Sequence, residues 1–218
     1  MENNKPTTNL DEAALAEEKS KRTRKIIIIS TAVVGVLILI IAGFLFFRNS
    51  KITASEQAIG EADRLMFIEQ NDSLAMAEYA KVAEMGSYAP NERARVMLAI
   101  NNYQEGKYQE ALDILDKTSL ESDVLEPGVE SLKGDCYVNL GKDNYDKALK
   151  CYEKAISIAD NNTVIVPFIL QKEANVYHAQ GNFEKEYEVY AEIYKNYPDF
   201  NRGNIQKFME RARIEAGK

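Results

Sequence analysis

GKYQEALDILDKT at residues 106–118, GKDNYDKALKCYEKAI at 141–156 and GNFEKEYEVYAEIY at 181–194 share one pattern of glycine, aromatic and small residues. Each stretch begins with a glycine, and an aromatic residue follows two positions later, except that Asp143 and Asn144 lengthen the middle copy. Counted from that aromatic residue, three further positions of the pattern follow at intervals of three, four and three residues. The aligned sets are Tyr108, Tyr145 and Phe183; Ala111, Ala148 and Glu186; Leu115, Tyr152 and Tyr190; and Thr118, Ala155 and Ile193. These intervals place the side chains on one face of an α-helix, so each stretch is predicted to form an amphipathic helix after a glycine turn.

A second helix is predicted to precede each of these turns. Each carries a tyrosine near its end and, three or four positions earlier, a small residue that lets the partner helix approach closely. The tyrosines are Tyr103, Tyr137 and Tyr177, and the small residues are Ala99, Gly134 and Ala174. Gly106, Gly141 and Gly181 are expected to supply the left-handed residue that ends this helix. A proline stands where each helix should begin, because the missing N–H costs little there. These prolines are Pro90, Pro127 and Pro167.

This helix-pair pattern resembles the tetratricopeptide repeat (TPR) family over residues 52–200. The resemblance implies an all-α fold with a TPR-type helical-repeat solenoid. The residues outside it predict a single N-terminal transmembrane helix before the solenoid and a C-terminal capping helix after it. The expected repeats are 52–86, 90–120, 127–160 and 167–198 within 48–200, followed by the capping helix at 201–218. The first repeat is degenerate and keeps only Ala75, Tyr79 and Val82 in register. The sequence departs from the family pattern in having no tryptophan and in placing Glu186 where a small residue is usual.

The C-terminal segment has the spacing of a helix that covers the end of a repeat array. Ile205, Phe208, Met209 and Ala212 follow one another at i, i+3, i+4 and i+7. A repeat array needs such a helix because its last stacking surface would otherwise meet water.

Residues 26–47, IIIISTAVVGVLILIIAGFLFF, contain no charged side chain. A helix of this length crosses the hydrocarbon core of a bilayer, and the run exceeds the apolar region of a cleaved signal peptide. Five cations precede it, at Lys19, Lys21, Arg22, Arg24 and Lys25, whereas Arg48 and Lys51 follow it. The positive-inside rule therefore predicts a polar, disordered cytoplasmic tail at 1–25 and a repeat domain outside the cytoplasm, with contact to the lipid bilayer through residues 26–47. In a bacterium this corresponds to a single-pass inner (cytoplasmic) membrane protein with a periplasmic repeat domain.

The charge distribution and the scarcity of reactive residues exclude several function classes. Residues 52–218 carry 29 acidic and 19 basic side chains, an acidic balance that argues against nucleic acid as a partner. The sequence contains no phosphate-binding glycine loop, no HExxH and no GxSxG motif, so we predict a non-enzyme without cofactor or metal site. Cys136 and Cys151 lie on opposite sides of the Gly141 turn, and free thiols are favoured over a disulfide, which the sequence leaves open.

The first helices of the repeats are expected to line a concave groove that binds a peptide or a partner helix. The candidate groove residues are Arg64, Phe67, Arg93, Val96, Ile100, Tyr103, Asp135, Asn139, Asn175 and His178. The alternative for each is a role in solvating the surface, and the convex face is the alternative binding surface. The Lys/Asn pattern with which some family members bind a C-terminal carboxylate is not reproduced.

The layout of a short tail, one anchor and a small exported TPR domain resembles the YfgM-type accessory proteins of the bacterial Sec translocon. That resemblance implies an adaptor or chaperone cofactor for newly exported proteins, with translocon subunits, a membrane-bound chaperone or exported clients as partners. The alternative hypothesis is a structural scaffold in envelope or outer-membrane assembly.

Overall fold

The computed structural model describes the backbone of residues 7–120, 122 and 124–217, and the side chains of this set from Glu12 onward. This part of the chain is helical and contains no β-strand. The helices are α1 Thr7–Phe67, α2 Asp72–Glu84, α3 Ala89–Gln104, α4 Tyr108–Leu115, α5 Glu126–Asn139, α6 Tyr145–Ala159, α7 Ile165–Ala179, α8 Phe183–Asn196 and α9 Arg202–Glu215. A 3₁₀ turn, Lys142–Asn144, accommodates the two-residue insertion before α6. The chain divides into two compact units, residues 1–53 and 54–218.

The first unit consists, in its described part, of the N-terminal portion of α1. Its apolar run, residues 26–47, is exposed along its whole length, and its most apolar window has a mean hydropathy of 2.9. The run therefore has the length and composition of a membrane span. The predicted disorder of residues 1–25 differs from the structure, in which α1 begins at Thr7, while residues 1–6 lie outside the described part. The physical reason is local, because this segment is rich in Ala, Glu and Lys, which favour helix, and Lys21 pairs with Glu17 one turn earlier at 2.7 Å.

The second unit is a series of helix pairs. We call the first helix of each pair its A helix and the second its B helix. The A helices are residues 54–67 of α1, then α3, α5 and α7, and the B helices are α2, α4, α6 and α8. Each helix from α2 onward packs against the next along the chain. The C-terminal helix α9 packs on α8, where Ile205 and Ala212 are fully buried and Phe208 and Met209 are partly buried, which confirms the predicted capping face.

The predicted glycine turns are confirmed. Gly106, Gly141 and Gly181 have φ of 76°, 105° and 72°, a region that side chains with a Cβ rarely adopt. At the first of them the N–H of Gly106 donates to Tyr103 O at 3.0 Å and the next N–H donates to Asn102 O at 2.8 Å. This pair of bonds satisfies carbonyls that the end of α3 leaves free.

The degenerate first pair makes the same turn without glycine. Gln70 adopts a φ of 53° between α1 and α2, and the side chain of Asn71 accepts a hydrogen bond from the N–H of Leu74 at 3.2 Å, which begins α2. A left-handed conformation costs a residue with a Cβ about 1–2 kcal/mol, and the Asn71 cap offsets part of that cost.

Small residues of the A helices allow close contact with large residues of the B helices. Ala62, Ala99, Gly134 and Ala174 are buried, and the B helices bury Tyr79, Leu115, Tyr152 and Tyr190. At Gly134 the approach is closest, since an added Cβ would lie 2.3 Å from Cε1 of Tyr152. The predicted role of Gly134 as a close-packing residue is confirmed.

Both cysteines are free in the structure. Cys136 is fully buried beside Ala111 and Leu112, and burial raises the pKa of its thiol to about 12. Burial also raises the pKa of the Cys151 thiol. Because the thiolate is the reactive form, both residues behave as small packing groups at neutral pH.

Candidate functional site

One position in each A helix follows the small residue directly and, in three of the four pairs, accepts a hydrogen bond from the B helix. The four residues at this position are Asp63, Ile100, Asp135 and Asn175. In three of the pairs a tyrosine of the B helix donates its hydroxyl hydrogen bond to this position: Tyr79 to Asp63 at 2.6 Å, Tyr152 to Asp135 at 2.8 Å and Tyr190 to Asn175 at 3.2 Å. Burial raises the pKa of Tyr79 and of Tyr152, and the accepting carboxylate raises each further, so both hydroxyls keep the proton that they donate.

The second pair has apolar residues at both of these positions. Leu115 stands where the other B helices have tyrosine, and Ile100 stands where the other A helices have a carboxylate or an amide. Leu115 is fully buried with Ala99 and Val129. A carboxylate at position 100 would have no hydroxyl donor there, so the two substitutions are physically consistent with each other.

Each of the two carboxylates also pairs with a cation from the next A helix. Arg93 of α3 forms an ion pair with Asp63, and Lys172 of α7 lies 2.6 Å from Asp135. The Lys172 ammonium also donates to Ser131 Oγ at 2.9 Å. A tyrosine, a carboxylate and a cation therefore link neighbouring helix pairs twice, once around Asp63 and once around Asp135. Ile100, the apolar residue at the equivalent position of α3, comes between these two carboxylates in the chain.

An apolar cavity of about 520 Å³ opens between these two ion pairs. Its lining residues are Arg93, Val96, Ile100, Leu120, Val124, Leu125, Gly128, Val129, Ser131, Leu132, Asp135, Val164, Ile165, Phe168, Ile169 and Lys172. Several large apolar side chains on its rim are exposed, with Val124 at 67%, Val164 at 65% and Phe168 at 55%. A concave apolar surface with a few polar groups is typical of binding sites.

A smaller, polar cavity of about 210 Å³ shares Asp135 and Lys172 with the apolar one. Its lining residues are Tyr103, Asp135, Val138, Asn139, Tyr145, Tyr152, Lys172, Asn175, Val176 and Ala179. Asn139 donates through Nδ2 to the Tyr103 hydroxyl at 3.2 Å and to Asp135 O at 2.8 Å. The two cavities together form one groove along α3, α5 and α7, with an apolar end and a polar end.

The structure brings seven of the ten sequence-predicted groove residues into these two cavities. The apolar cavity takes Arg93, Val96, Ile100 and Asp135, and the polar cavity takes Tyr103, Asn139 and Asn175, together with Asp135. Sequence reasoning missed Lys172, Phe168 and the segment 120–125. A signal for that segment was present, because Leu120, Val124 and Leu125 are apolar residues in a linker that is otherwise polar.

Three predicted residues do not line either cavity. Arg64 is exposed and pairs with Glu61, one turn earlier in α1, and with Glu69, two residues beyond the end of the helix. Phe67, the last residue of α1, is 67% exposed. His178 contacts the C-terminal part of the domain, where its Nδ1 lies 2.8 Å from Glu186 Oε2.

Glu186, the family departure noted above, is fully buried and satisfied by two partners. His178 contacts one carboxylate oxygen, and Arg211 of α9 forms an ion pair with the other. His178, Glu186 and Glu215 place ligand atoms within 4.8 Å of one another, a spacing that suits a metal ion. The Arg211 guanidinium already supplies the positive charge at Glu186, so this cluster has the chemistry of an internal ion pair that joins α7, α8 and α9.

Two solved structures are similar to this chain in fold. A crystal structure of MamA superimposes with a TM-score of 0.52 at 17% identity and covers 72% of this chain and 94% of that one. A second crystal structure of MamA protein gives a TM-score of 0.54 at 18% identity, with 75% and 92% covered. No curated protein sequence gives a significant match.

A family profile described as a tetratricopeptide repeat-like domain matches residues 62–178, more than half of the chain. The matched region contains both cavities except for part of the polar wall at Ala179. Such domains are protein-interaction scaffolds that are typically not enzymes. The chain belongs to the tetratricopeptide repeat-like domain family.

Proposed function

We propose that this protein is a membrane-anchored interaction module whose repeat domain faces away from the cytoplasm and binds protein partners through the α3–α5–α7 groove. The observation that carries the proposal is the apolar cavity between two fixed ion pairs, because an exposed apolar surface of this kind marks a site that another molecule covers. The groove-lining residues Arg93, Val96, Ile100, Tyr103, Asp135, Asn139 and Asn175 are the proposed contact residues.

The anchor and its orientation are supported by the apolar run and its flanking charges. Residues 26–47 carry no charge, five cations lie within residues 19–25 directly before them, and two follow them closely. The positive-inside rule then assigns the N-terminus to the cytoplasm and the repeat domain to the opposite side of the membrane.

An exported repeat domain held at the membrane is suited to meet proteins as they emerge from a translocon. We therefore propose an adaptor or chaperone cofactor for newly exported proteins, with translocon subunits, a membrane-bound chaperone or exported clients as partners. The family membership supports protein binding, and the layout of tail, anchor and domain supports the place of action. Assembly of an envelope scaffold is the competing outcome that the experiment below distinguishes.

In-cell photocrosslinking tests both the groove and the partner. A photoreactive residue in place of Tyr103 or of Asn139 should crosslink to translocon, chaperone or client proteins. The same residue in place of Lys150, which is exposed on α6 and outside both cavities, is the matched control. Equal capture from Lys150 would refute the groove, and capture of a folded envelope component alone would favour the scaffold.

The orientation has its own test. Alkaline phosphatase fused after Lys218 is expected to be active, because it folds only outside the cytoplasm, whereas a fusion that replaces residues 26–218 should be inactive. The reverse result would contradict the proposed topology.

A further inference from the structure

Resting on the membrane anchor of the proposed function, we propose that the segment directly before the apolar run binds the headgroups of acidic phospholipids. Arg22, Arg24 and Lys25 form the site, which we call the cationic patch. Its ligand is the phosphate group of a lipid in the leaflet at the N-terminal end of the span. The anchor then selects the lipids around one of its two ends.

The cations of α1 are concentrated at one end of the apolar run. Residues 19–25, KSKRTRK, contain five cations and no acidic residue, whereas residues 48–54, RNSKITA, contain two cations. The five cations are all exposed. Because α1 runs without a break from Thr7 to Phe67, these cations and the apolar run belong to one helix. Distances along it therefore follow from the helical rise of about 1.5 Å per residue.

The helical rise places the cationic patch at the depth of the lipid headgroups. A bilayer is about 30 Å thick in its hydrocarbon core and about 40–45 Å with its headgroups, which leaves about 5–8 Å for the headgroups of each leaflet. When Ile26 lies at the edge of the core, Lys25 lies about 1.5 Å and Arg22 about 6 Å outside it. The nearest acidic residues in the sequence, Glu17 and Glu18, lie about 12–13.5 Å outside it, beyond the headgroups. Lipid phosphates therefore meet the cations before they meet a carboxylate.

The cationic patch lies on one side of the helix. At about 100° per residue, Lys25 lies about 60° from Arg22 and about 100° from Arg24, so the three cations span an arc of about 160°. Thr23 lies on the opposite side, and its hydroxyl donates to the carbonyl of Lys19 at 2.9 Å. Arg22 and Lys25 are three residues apart and can therefore reach the same phosphate.

The cations of the patch are not used inside the protein. Within the residues that the structure describes, no hydrogen bond or ion pair joins the side chains of Arg22, Arg24 or Lys25 to another residue. The neighbouring Lys21, by contrast, pairs with Glu17 at 2.7 Å. A guanidinium can bind two phosphate oxygens at once, and an ammonium adds a compact positive charge. Three unpaired cations at headgroup depth therefore favour an anionic lipid over one whose headgroup has no net charge.

Quenching of a single tryptophan by brominated lipids measures which lipids surround each end of the span. The chain contains no tryptophan, so Ile27→Trp and Phe46→Trp each introduce the sole reporter at one end of the apolar run. Both replaced side chains are exposed, at 56% and 78%. The full chain is reconstituted into vesicles of phosphatidylcholine and phosphatidylglycerol, with bromine on the acyl chains of one lipid at a time. Each reporter reads its own leaflet, so the orientation of the chain in the vesicle does not affect the result.

The reporter at position 27 should show a preference for phosphatidylglycerol. One cation near an anionic surface strengthens association about fivefold, so phosphatidylglycerol should associate about fivefold or more tightly than phosphatidylcholine there, and less so at position 46. Raising the salt from about 0.1 M to about 1 M shortens the screening length from about 10 Å to about 3 Å and should lower the preference. Inorganic phosphate should lower it no more than chloride at equal ionic strength. A stronger effect of phosphate would mean that the cations bind free phosphate, which would overturn the lipid as the ligand.

Removal of charge at either end locates the site. In the chain with the N-terminal reporter, Arg22→Gln/Arg24→Gln/Lys25→Gln should abolish the preference. Arg48→Gln/Lys51→Gln, the matched control, removes the two cations that follow the apolar run and should leave the preference unchanged. Quenching of both variants by brominated phosphatidylcholine checks that the helix still enters the bilayer.

The outcomes separate lipid selection from the membrane anchor. Equal quenching by the two brominated lipids at the N-terminal reporter, or a preference that survives the triple variant, would overturn lipid selection and leave the anchor standing. If neither lipid quenches either reporter, the helix does not enter the bilayer, and lipid selection and the anchor of the proposed function both fail.

Discussion

Replacing Gly134 by Ala tests the packing that places the groove. The added Cβ would lie 2.3, 2.7 and 2.9 Å from Cε1, Cδ1 and Cζ of Tyr152. Carbon atoms pack at about 3.5 Å or more, so the ring would have to move by about 1.2 Å. Tyr152 is only 2% exposed and is held through its hydroxyl by Asp135, so it has little room to move.

The magnitude follows from three opposing contributions. Overpacking of a tight contact costs about 1–3 kcal/mol, and a weakened hydrogen bond from Tyr152 to a charged acceptor costs about 1.5 kcal/mol. The helix propensity of Ala over Gly returns about 1 kcal/mol. The net expectation is a loss of about 2 kcal/mol, which for a domain of this size lowers the melting temperature by about 4–8 °C.

Thermal unfolding of the full chain in detergent, followed by circular dichroism, measures this loss. Gly128→Ala is the matched control in the same helix, because nothing lies within 4 Å of an added Cβ there. It should leave the melting temperature unchanged or raise it slightly. A Gly134→Ala variant as stable as Gly128→Ala would refute the close contact, and a Gly134→Ala/Tyr152→Leu double variant should lose less than the sum of the single losses.

Three further changes test other contacts by the same unfolding measurement. Gln70→Gly should stabilise the domain by about 1 kcal/mol, because φ is 53° there; a loss of stability would contradict the strained turn. Burial raises the pKa of Glu173 to about 7 from 4.5, so the folded state holds a proton that the unfolded state releases. The native protein therefore loses about 3 kcal/mol of stability as pH rises from about 4.5 to 8. Glu173→Gln should remove that part of the pH dependence and be more stable than the native protein at pH 8. If the stabilities of the two proteins instead changed in parallel with pH, Glu173 would not be the source of the loss. Arg211→Met should cost about 3 kcal/mol by leaving Glu186 buried without its cation, and an added Glu186→Ala change should recover most of that loss.

The parts of the fold that could be predicted from sequence are those fixed by residues close together in the chain. A glycine turn, a proline in the first helical turn and a stripe of apolar side chains each act within about ten residues. Gly106 and its equivalents, and the capping face around Ile205, were therefore accessible to pattern reasoning. The helical start of α1 at Thr7 could not be predicted from an apolar pattern, because the segment before residue 26 is polar and has no apolar face, although its helix propensity is high.

The parts of the site that could not be predicted depend on partners far apart in sequence. Glu186 breaks the family pattern, and the compensating Arg211 lies 25 residues away on the C-terminal helix. The register of His178 along α7 predicts a groove position, but its imidazole contacts the buried Glu186 carboxylate and lines neither cavity. Lys172 reaches Asp135 across 37 residues of chain. Register along one helix gives the face of a side chain, whereas the partner that holds it is set by tertiary packing.

One departure within an otherwise regular array adds an apolar residue to the groove. In three helix pairs a tyrosine hydroxyl bonds to a polar group at the groove position, whereas the second pair has the apolar residues Leu115 and Ile100 at the two positions. Had the second pair kept the tyrosine and the carboxylate, a polar group would stand at position 100 in the wall of the apolar cavity. The family fold supplies the concave surface, and Ile100 is one of the aliphatic residues in the wall of its apolar cavity. The apolar character of the proposed binding surface therefore depends in part on this exception to the pattern that the other three pairs share.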